Sequence, residues 1–211
     1  LLMAHVFDRP EPLAAMTGWS VAPEFAWWLF NYVTDEQPAK IIELGSGTST
    51  LVIASALKKN GGGKFISFEH SHKYYLETLR LIKTCGLQDY VDLVYTPLKK
   101  YEFSDDEYRW YDLPWDLLDY SMGVAGLDLL LIDGPPAATN HHARFPAFPL
   151  MKNYCSENVL IILDDADRET EQAILNRWMD EGDIEFSLLP DVRHGSALIR
   201  KTVNCENNKN S

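Results

Sequence analysis

Residues 40–50 read KIIELGSGTST, and they are followed by an apolar helical run and then by FISFE at residues 65–69. An apolar strand runs into a turn that contains Gly45 and Gly47, and the turn opens a helix. The next strand ends in a carboxylate, Glu69, which lies 24 residues beyond Gly45. A tight backbone turn and an acidic hydrogen-bond acceptor at adjacent strand ends predict a site for a nucleoside-containing cofactor.

The rest of the chain continues this alternation of strands and helices. Further strands are predicted at Val91–Tyr95, Leu127–Ile132, Val159–Leu163, Ile184–Leu189 and Ser196–Arg200. Helices are predicted at Val21–Val33, Leu51–Leu57, Ser71–Gly86, Arg144–Cys155 and Glu169–Met179, whereas residues 98–122 carry no readable pattern. This order predicts an α/β, Rossmann-like, doubly wound fold with a seven-stranded, mostly parallel sheet and a C-terminal antiparallel hairpin strand.

Length and composition bound the organisation of the chain and its partners. The 211 residues are 46% hydrophobic, which is enough for one sizeable core, and we expect a single domain over residues 1–203. Residues 1–20 are predicted to be a loose lead-in and residues 204–211 a disordered polar tail. The formal charge of −12 argues against binding to nucleic acid or to an anionic membrane, because both need a basic surface.

The cysteines and the apolar runs predict the location of the protein. Cys85, Cys155 and Cys205 show neither a disulfide framework nor a metal-binding spacing, which favours reduced thiols. No apolar run approaches the ~20 residues that a membrane helix needs, and the first residues lack the pattern of a secretory signal. We therefore expect a cytoplasmic protein.

What the glycine turn lacks narrows the choice of cofactor. A dinucleotide site of the G-x-G-x-x-G type would place glycine at position 50, where this chain has threonine. A Walker loop would need Gly-Lys-Ser/Thr, which the segment does not contain. A purely structural turn stays open as the alternative to a cofactor site.

The pattern Glu43-x-Gly45-x-Gly47-x-Ser49, with Glu69 downstream, resembles the class I S-adenosylmethionine-dependent methyltransferases. The resemblance runs from about Val21 to Arg200. It implies that the turn wraps the aminocarboxypropyl group of the cofactor, that Glu69 holds the ribose and that residues 96–98 flank the adenine. The cofactor-binding residues implied in this way are Glu43, Gly45, Ser46, Gly47, Ser49, Glu69, His70, Pro97, Leu98 and Asp133.

A second motif, DGPP at residues 133–136, follows the strand Leu127–Ile132. Its position predicts that Asp133 lies next to the transferred methyl group, where it would orient the donor end of the cofactor. The alternative is a turn that Asp133 caps.

Asp164 and Asp165 end the next predicted strand. Together with Asp133 they resemble the carboxylate set that holds a divalent cation in catechol-type O-methyltransferases. The resemblance implies a Mg²⁺ site at Asp133, Asp164 and Asp165. The alternative is that the two adjacent aspartates cap the helix that follows.

Residues 140–147, NHHARFPA, stand where a substrate is expected. His141 or His142 is predicted to act as the general base on an acceptor hydroxyl, and Arg144 to clamp an anionic group of the substrate. Surface exposure of the histidines, and pairing of Arg144 with Asp133 or Asp165, stay open as alternatives. The runs DGPP, RFPA (144–147) and DDADR (164–168) resemble a branch of small bacterial O-methyltransferase-like proteins whose substrates are unassigned.

The aromatic residues divide into two groups. Trp110 and Tyr111 fall in a polar segment ahead of the strand Leu127–Ile132 and are predicted to contact ligand. Trp27 and Trp28 lie on an apolar helical run and are predicted to belong to the core.

The residues and the resemblance together predict an S-adenosylmethionine-dependent methyltransferase that acts on a small molecule, with oxygen as the favoured acceptor. The predicted catalytic residues are Asp133, His141, His142 and Arg144. One alternative is a non-catalytic cofactor-binding or assembly protein of the same fold, and another is a nicotinamide-dependent oxidoreductase, against which Thr50 argues. We expect a small-molecule partner, neither nucleic acid nor membrane, and aromatic residues near the N-terminus that would suit a homodimer.

Overall fold

The structure is a computed structural model, and it describes residues 21–103, 106–181, 184–190 and 192–202. The predicted lead-in over residues 1–20 and the predicted tail over residues 204–211 lie outside the described residues. Within the described part of the chain, no helix combines the length and the apolar character needed to cross a membrane.

Strands and helices alternate along most of the described chain. The strands are β1 (Lys40–Leu44), β2 (Lys64–Glu69), β3 (Asp92–Tyr95), β4 (Leu98–Phe103), β5 (Asp106–Tyr111), β6 (Leu127–Ile132), β7 (Cys155–Asp164), β8 (Ile184–Leu188) and β9 (Ser196–Lys201). The helices are α1 (Pro23–Glu36), α2 (Thr48–Asn60), α3 (His72–Thr84), α4 (Trp115–Met122), α5 (Ala147–Met151) and α6 (Glu169–Glu181), with a 3₁₀ turn at Ala137–Thr139.

Seven of these strands form one sheet in the order β3-β2-β1-β6-β7-β9-β8. The five neighbouring strands β3, β2, β1, β6 and β7 pair in parallel. Strand β9 pairs antiparallel with both of its neighbours, β7 and β8. This confirms the predicted seven-stranded sheet with its C-terminal antiparallel hairpin strand. The strand order reverses between β1 and β6, so the carboxyl ends of these two strands open a crevice of the kind in which α/β sheets bind ligands.

The central strands are apolar because both of their faces are covered. In β6, Leu130 and Ile132 pack on one face with Trp178 of α6, while Leu129 and Leu131 pack on the other face with Leu29 of α1. Parallel strands that lie between two layers of helices are nearly continuous hydrophobic runs. The two cores therefore hold β1, β6 and β7 rigidly and expose only their ends.

The predicted helix Arg144–Cys155 is wrong in its extent. The structure has only the short helix α5 there, and β7 begins at Cys155, four residues before the predicted start at Val159. The backbone carbonyl of Tyr154 accepts a hydrogen bond from the Leu127 amide at 2.8 Å, and Cys155 then pairs with Leu127. Pairing with β6 therefore makes β7 begin earlier in the chain than the sequence predicts.

Strands β4 and β5, which lie in the segment that carried no readable pattern, pair with each other as a separate two-stranded sheet. Trp110 is fully buried in the core beneath it, so the predicted ligand contact of Trp110 is wrong. Tyr111, its neighbour, is also buried but lines the cavity described below. Trp27 and Trp28 pack against the core on α1, as predicted.

Candidate functional site

A cavity of ≈ 500 Å³ opens at the carboxyl ends of the central strands. Its wall includes Gly45 after β1, Glu69 at the end of β2, Asp133 after β6 and Asp164 at the end of β7. The sequence predicted strand ends at these residues, and the parallel order of the sheet brings the ends together. The cavity thus combines a glycine turn with several carboxylates at the switch point of the sheet.

Two glycines allow the loops after β1 and β6 to pass each other closely. Gly45 has a φ of +100°, and a Cβ on it would lie 2.9 Å from the carbonyl oxygen of Asp133. A Cβ on Gly134 would lie 2.2 Å from the hydroxyl oxygen of Tyr111. Both contacts are too short for a side-chain carbon, so only glycine fits at these positions.

Glu43 supports the glycine turn from below. Its side chain is fully buried, and its Oε2 accepts hydrogen bonds from Thr50 Oγ1 at 2.5 Å and from Ser67 Oγ at 2.6 Å. Thr50 Oγ1 in turn accepts one from the Gly47 amide at 2.9 Å. Burial raises the pKa of Glu43 to about 7, although hydrogen bonds from neighbouring hydroxyls oppose the shift. Glu43 therefore shapes the turn and does not line the cavity.

Glu69 has a different environment, because it lines the cavity while it is held in place by the turn. Its Oε2 accepts hydrogen bonds from the amide and the Oγ of Ser46, at 3.0 Å and 3.1 Å, and its Oε1 accepts one from the Ser71 amide at 2.7 Å. His70 Nδ1 lies 3.2 Å from Oε1. Burial alone would raise the pKa of Glu69, but the adjacent His70 imidazole and the hydrogen bonds from the Ser71 and Ser46 amides hold it below its ordinary value. Glu69 is thus a fixed negative charge at neutral pH.

The three predicted metal ligands do lie together. Oxygens of Asp133, Asp164 and Asp165 are within 4.8 Å of one another at the ends of β6 and β7. Arg144 enters the same cluster: its Nη2 lies 3.2 Å from Asp133 Oδ1 and 2.9 Å from Asp165 Oδ2. The pairing of Arg144 with these aspartates, which the sequence left open, is therefore present.

The charged groups of this cluster shift each other's pKa values. Burial and the neighbouring Asp164 carboxylate raise the pKa of Asp133 well above its ordinary value, although the Arg144 guanidinium opposes the shift. Burial would lower the pKa of Arg144, but the surrounding carboxylates, Asp133 first, raise it. The Arg144 guanidinium thus faces several acidic groups, and it stays charged throughout.

The Tyr111 hydroxyl is a polar group without a hydrogen-bond partner in the described structure. The side chain is fully buried, its oxygen lies beside Gly134, and the residue lines the cavity between Glu69 and Asp133. Burial raises the pKa of Tyr111 well above its ordinary value, so the hydroxyl keeps its proton. A buried donor left unpaired costs free energy, which a ligand in the cavity would recover.

Three residues that sequence analysis did not assign to the site also line the cavity. They are Arg168, Arg193 and His194. Arg168 Nη2 lies 2.8 Å from Asp165 Oδ1. Arg193 and His194 come from the turn between β8 and β9, where the carbonyl of His194 accepts a hydrogen bond from the Asp167 amide at 3.1 Å. In the sequence, the neighbouring Gly195 indicates a turn here, but no nearby residue indicates that this turn contacts the loop after β7.

A family model described as a methyltransferase domain matches residues 42–166, which is more than half of the chain. The chain belongs to this family. The matched span runs from β1 to the loop after β7, so it contains the glycine turn, Glu69 and the carboxylate cluster. The prediction of a methyltransferase is therefore confirmed.

Solved structures of other methyltransferases share the fold of this methyltransferase domain. An O-methyltransferase from Bacillus cereus in complex with SAH has a TM-score of 0.66 and 16% identity, with 95% of this chain and 95% of that chain covered. The O-methyltransferase TomG from Streptomyces achromogenes, involved in tomaymycin synthesis and in complex with SAM, has a TM-score of 0.63 and 13% identity, with 96% and 90% covered. SAH-bound PaMTH1, a methyltransferase from Podospora anserina, has a TM-score of 0.62 and 17% identity, with 85% and 78% covered. Among curated proteins, no sequence matches the chain.

Several residues predicted for the site of this methyltransferase lie away from the cavity wall. Pro97 is exposed and Leu98 begins β4. Gly47 and Ser49 do not line the cavity, and Ser49 is buried. His141 is exposed, and the ring of His142 lies tilted against it at 46°, with the ring centres 3.8 Å apart. Burial and the adjacent His141 lower the pKa of His142. Neither histidine reaches the cavity, because the loop that carries them turns its buried side, Ala143–Phe148, toward the core.

Proposed function

We propose that this methyltransferase uses S-adenosylmethionine as its methyl donor and methylates a hydroxyl oxygen of a small molecule. The observation that carries the proposal is the Glu69 carboxylate, fixed at the end of β2 by two hydrogen bonds from Ser46. A carboxylate held beside a glycine turn suits a ligand that joins a ribose to a small charged group. O-methyltransferases with SAM or SAH bound are among the proteins that share the fold, which supports the same proposal.

The cavity wall fits this cofactor in shape and in charge. Its volume of ≈ 500 Å³ is in the range of cofactor sites, and Gly45 lets the backbone approach a ligand closely. Carboxylates such as Glu69 and Asp133 would stabilise a sulfonium cation. When bound, the cofactor supplies an electrophilic methyl group for an in-line displacement.

We assign the roles of the chain's own residues accordingly. Gly45, Ser46, Glu69 and His70 would contact the cofactor, and Asp133 would lie at its donor end. Glu43, Gly47 and Ser49 would hold the turn in shape. The adenine contacts of Pro97 and Leu98 stay predictions, since neither residue lines the cavity.

The acceptor would lie beside Arg168, Arg193 and His194, which line the cavity. Two arginines in the cavity wall of a chain with a formal charge of −12 suit an acceptor that carries a carboxylate or another anionic group. A hydroxyl acceptor must also lose its proton, which requires a base within hydrogen-bond reach. Because His141 and His142 lie away from the cavity, we propose His194 as this base.

Arg144 cannot serve as the predicted anion clamp while it is paired with the aspartates. Its Nη2 already contacts Asp133 and Asp165, and its Nη1 donates to the Asp164 carbonyl at 2.6 Å. We therefore transfer the clamp to Arg193. For the same reason Mg²⁺ at Asp133, Asp164 and Asp165 is not part of this proposal.

Cofactor binding followed by an acceptor screen tests the proposal. Calorimetry with S-adenosylhomocysteine comes first, and radiolabelled methyl transfer to hydroxylated compounds, with and without an anionic group, comes second. Transfer to oxygen supports the proposal. Tight cofactor binding with no transfer to any acceptor class would instead favour the non-catalytic alternative, and binding of NADH alone would favour the oxidoreductase.

The remaining proposals concern organisation and location. We propose one methyltransferase domain over residues 1–203, in the cytoplasm. The homodimer and the lack of a nucleic-acid partner stay predictions.

A further inference from the structure

We infer that the guanidinium of Arg144 is the built-in cation of the carboxylate cluster, so that this methyltransferase works without a divalent metal. The cluster of Asp133, Asp164 and Asp165 consists of the hard oxygen ligands that Mg²⁺ prefers. The consequence for catalysis rests on the proposed function, whereas the consequence for metal binding can be tested without it.

The guanidinium lies where such a metal ion would lie. Its Nη2 is 3.2 Å from Asp133 Oδ1 and 2.9 Å from Asp165 Oδ2. Backbone bonds fix it further, because Nη1 donates to the Asp164 carbonyl at 2.6 Å and Nη2 to the Asp133 carbonyl at 3.3 Å. The group is therefore anchored to the ends of both β6 and β7. A cation bound by these carboxylates would need the position that Nη2 already fills.

Two further carboxylate oxygens of the cluster have partners as well. Asp165 Oδ1 lies 2.8 Å from Arg168 Nη2, and Asp164 Oδ1 accepts a hydrogen bond from Ser196 Oγ at 2.9 Å. Each of the three carboxylates thus has a partner within the fold, and Asp165 has two cationic ones. A dication would have to displace these partners and would also meet two guanidinium groups of like charge.

The burial of Arg144 makes this arrangement durable. The side chain is 3% exposed, and its Nε lies 4.0 Å from Oε1 of buried Glu171 on the far side from the cavity. A guanidinium does not deprotonate in proteins, so it balances carboxylate charge at every pH at which the fold persists. Four acidic side chains, Asp133, Asp164, Asp165 and Glu171, surround Arg144, and the cations that balance them, Arg144 and Arg168, belong to the chain itself.

In the reaction, Arg144 is a positioning residue. It holds the Asp133 carboxylate at the cavity wall in the orientation that a metal ligand would otherwise have. Replacing Arg144 by alanine removes the only cation in contact with Asp133 among the described residues and leaves three carboxylates facing one space. The variant therefore acquires the metal site that the wild-type sequence resembles.

Titration of the protein with Mn²⁺ tests the inference directly, with electron paramagnetic resonance used to measure the bound and free Mn²⁺. The wild-type protein is expected to show no saturable site up to about 1 mM, the weak end of protein sites for hard cations. Arg144→Ala is expected to gain one saturable site, and the added substitution Asp165→Asn to abolish it. Arg144→Lys, which keeps a positive charge in the same place, is the matched control and is expected to gain none. Methyl transfer by the wild-type protein is expected to be equal in EDTA and in Mg²⁺.

Two outcomes overturn the inference. One is a saturable Mn²⁺ site in the wild-type protein that Asp165→Asn removes, and the other is activity that EDTA abolishes and Mg²⁺ restores. If circular dichroism shows that Arg144→Ala does not fold, the wild-type and Arg144→Lys titrations still decide the question. Failure of the proposed function is separable, because it would appear as a lack of S-adenosylhomocysteine binding while the Mn²⁺ results stay as expected.

Discussion

Oε2 of Glu69 accepts two hydrogen bonds from Ser46, one from the backbone amide at 3.0 Å and one from Oγ at 3.1 Å. These bonds join the turn after β1 to the end of β2. Ser46 Oγ also lies 3.1 Å from Thr78 Oγ1 on α3, so the contact extends to the helix that follows β2. The two edges of the proposed cofactor site are therefore held in one geometry before a ligand binds.

Glu69→Ala is expected to weaken S-adenosylhomocysteine binding by about 1.5–3 kcal/mol, or about 10- to 150-fold, because a charge-assisted hydrogen bond is lost. Isothermal calorimetry measures this loss. Glu77→Ala, on the exposed face of α3, is the matched control and is expected to bind as the wild-type protein does. An unchanged dissociation constant for Glu69→Ala would remove Glu69 from the site.

Glu43 is expected to make the stability of the protein depend on pH. Its pKa is about 7 in the fold against an ordinary value of 4.5, so the folded state binds more protons between these values. The favourable contribution of Glu43 to the free energy of unfolding is fully present below pH 4.5 and is lost as the pH rises through 7. Between pH 5 and pH 8 this loss is up to about 3 kcal/mol in the free energy of unfolding.

Glu43→Gln is expected to flatten this dependence, since the amide does not titrate. Urea unfolding at several pH values measures the effect. Glu36→Gln, at the exposed end of α1, is expected to leave the slope unchanged. Equal slopes for Glu43→Gln and the wild-type protein would show that Glu43 does not carry the dependence.

Gly134→Ala is expected to abolish cofactor binding or to destabilise the fold, because its Cβ would lie 2.2 Å from the Tyr111 hydroxyl oxygen. Tyr111→Phe removes that oxygen, so the double variant is expected to recover much of the loss. Thermal melting and calorimetry of the two single variants and the double variant measure the coupling. Additive losses in the double variant would contradict this clash.

The parts of the site that follow from strand ends could be predicted from the sequence. Gly45, Glu69, Asp133 and Asp164 each end or follow a short apolar run, and parallel strands bring such ends together whatever the loops do. The contacts of Arg144 could not be predicted from the local sequence, because Asp133 and Asp165 lie 11 and 21 residues away and follow two different strands. The sequence predicted a clamp role for Arg144 and left its pairing with the aspartates open as the alternative.

Loops are the part that the sequence could not place. His194 lies between β8 and β9, which pair with each other, and its carbonyl contacts the loop after β7. Nothing near His194 in the chain indicates this contact. Residues 98–111 also escaped prediction, since Trp110 and Tyr111 are consecutive and both buried, which breaks the alternation expected of a half-buried strand.

His194→Gln is expected to lower kcat for methyl transfer by about 10²- to 10⁴-fold, the range of general-base catalysis, with little change in cofactor affinity. The competing assignment of the base to His141 or His142 predicts the opposite pattern. The same substitution at each of the three histidines, assayed under one set of conditions, therefore separates the two. Full activity in His194→Gln would exclude His194 as the base.

Calorimetric titration of the protein with S-adenosylhomocysteine, with NADH as the control ligand, decides whether the cavity binds S-adenosylmethionine. Saturable binding of S-adenosylhomocysteine alone is expected, with the same affinity in EDTA and in Mg²⁺. Binding of neither ligand to the folded protein would contradict the assignment of the cavity to S-adenosylmethionine.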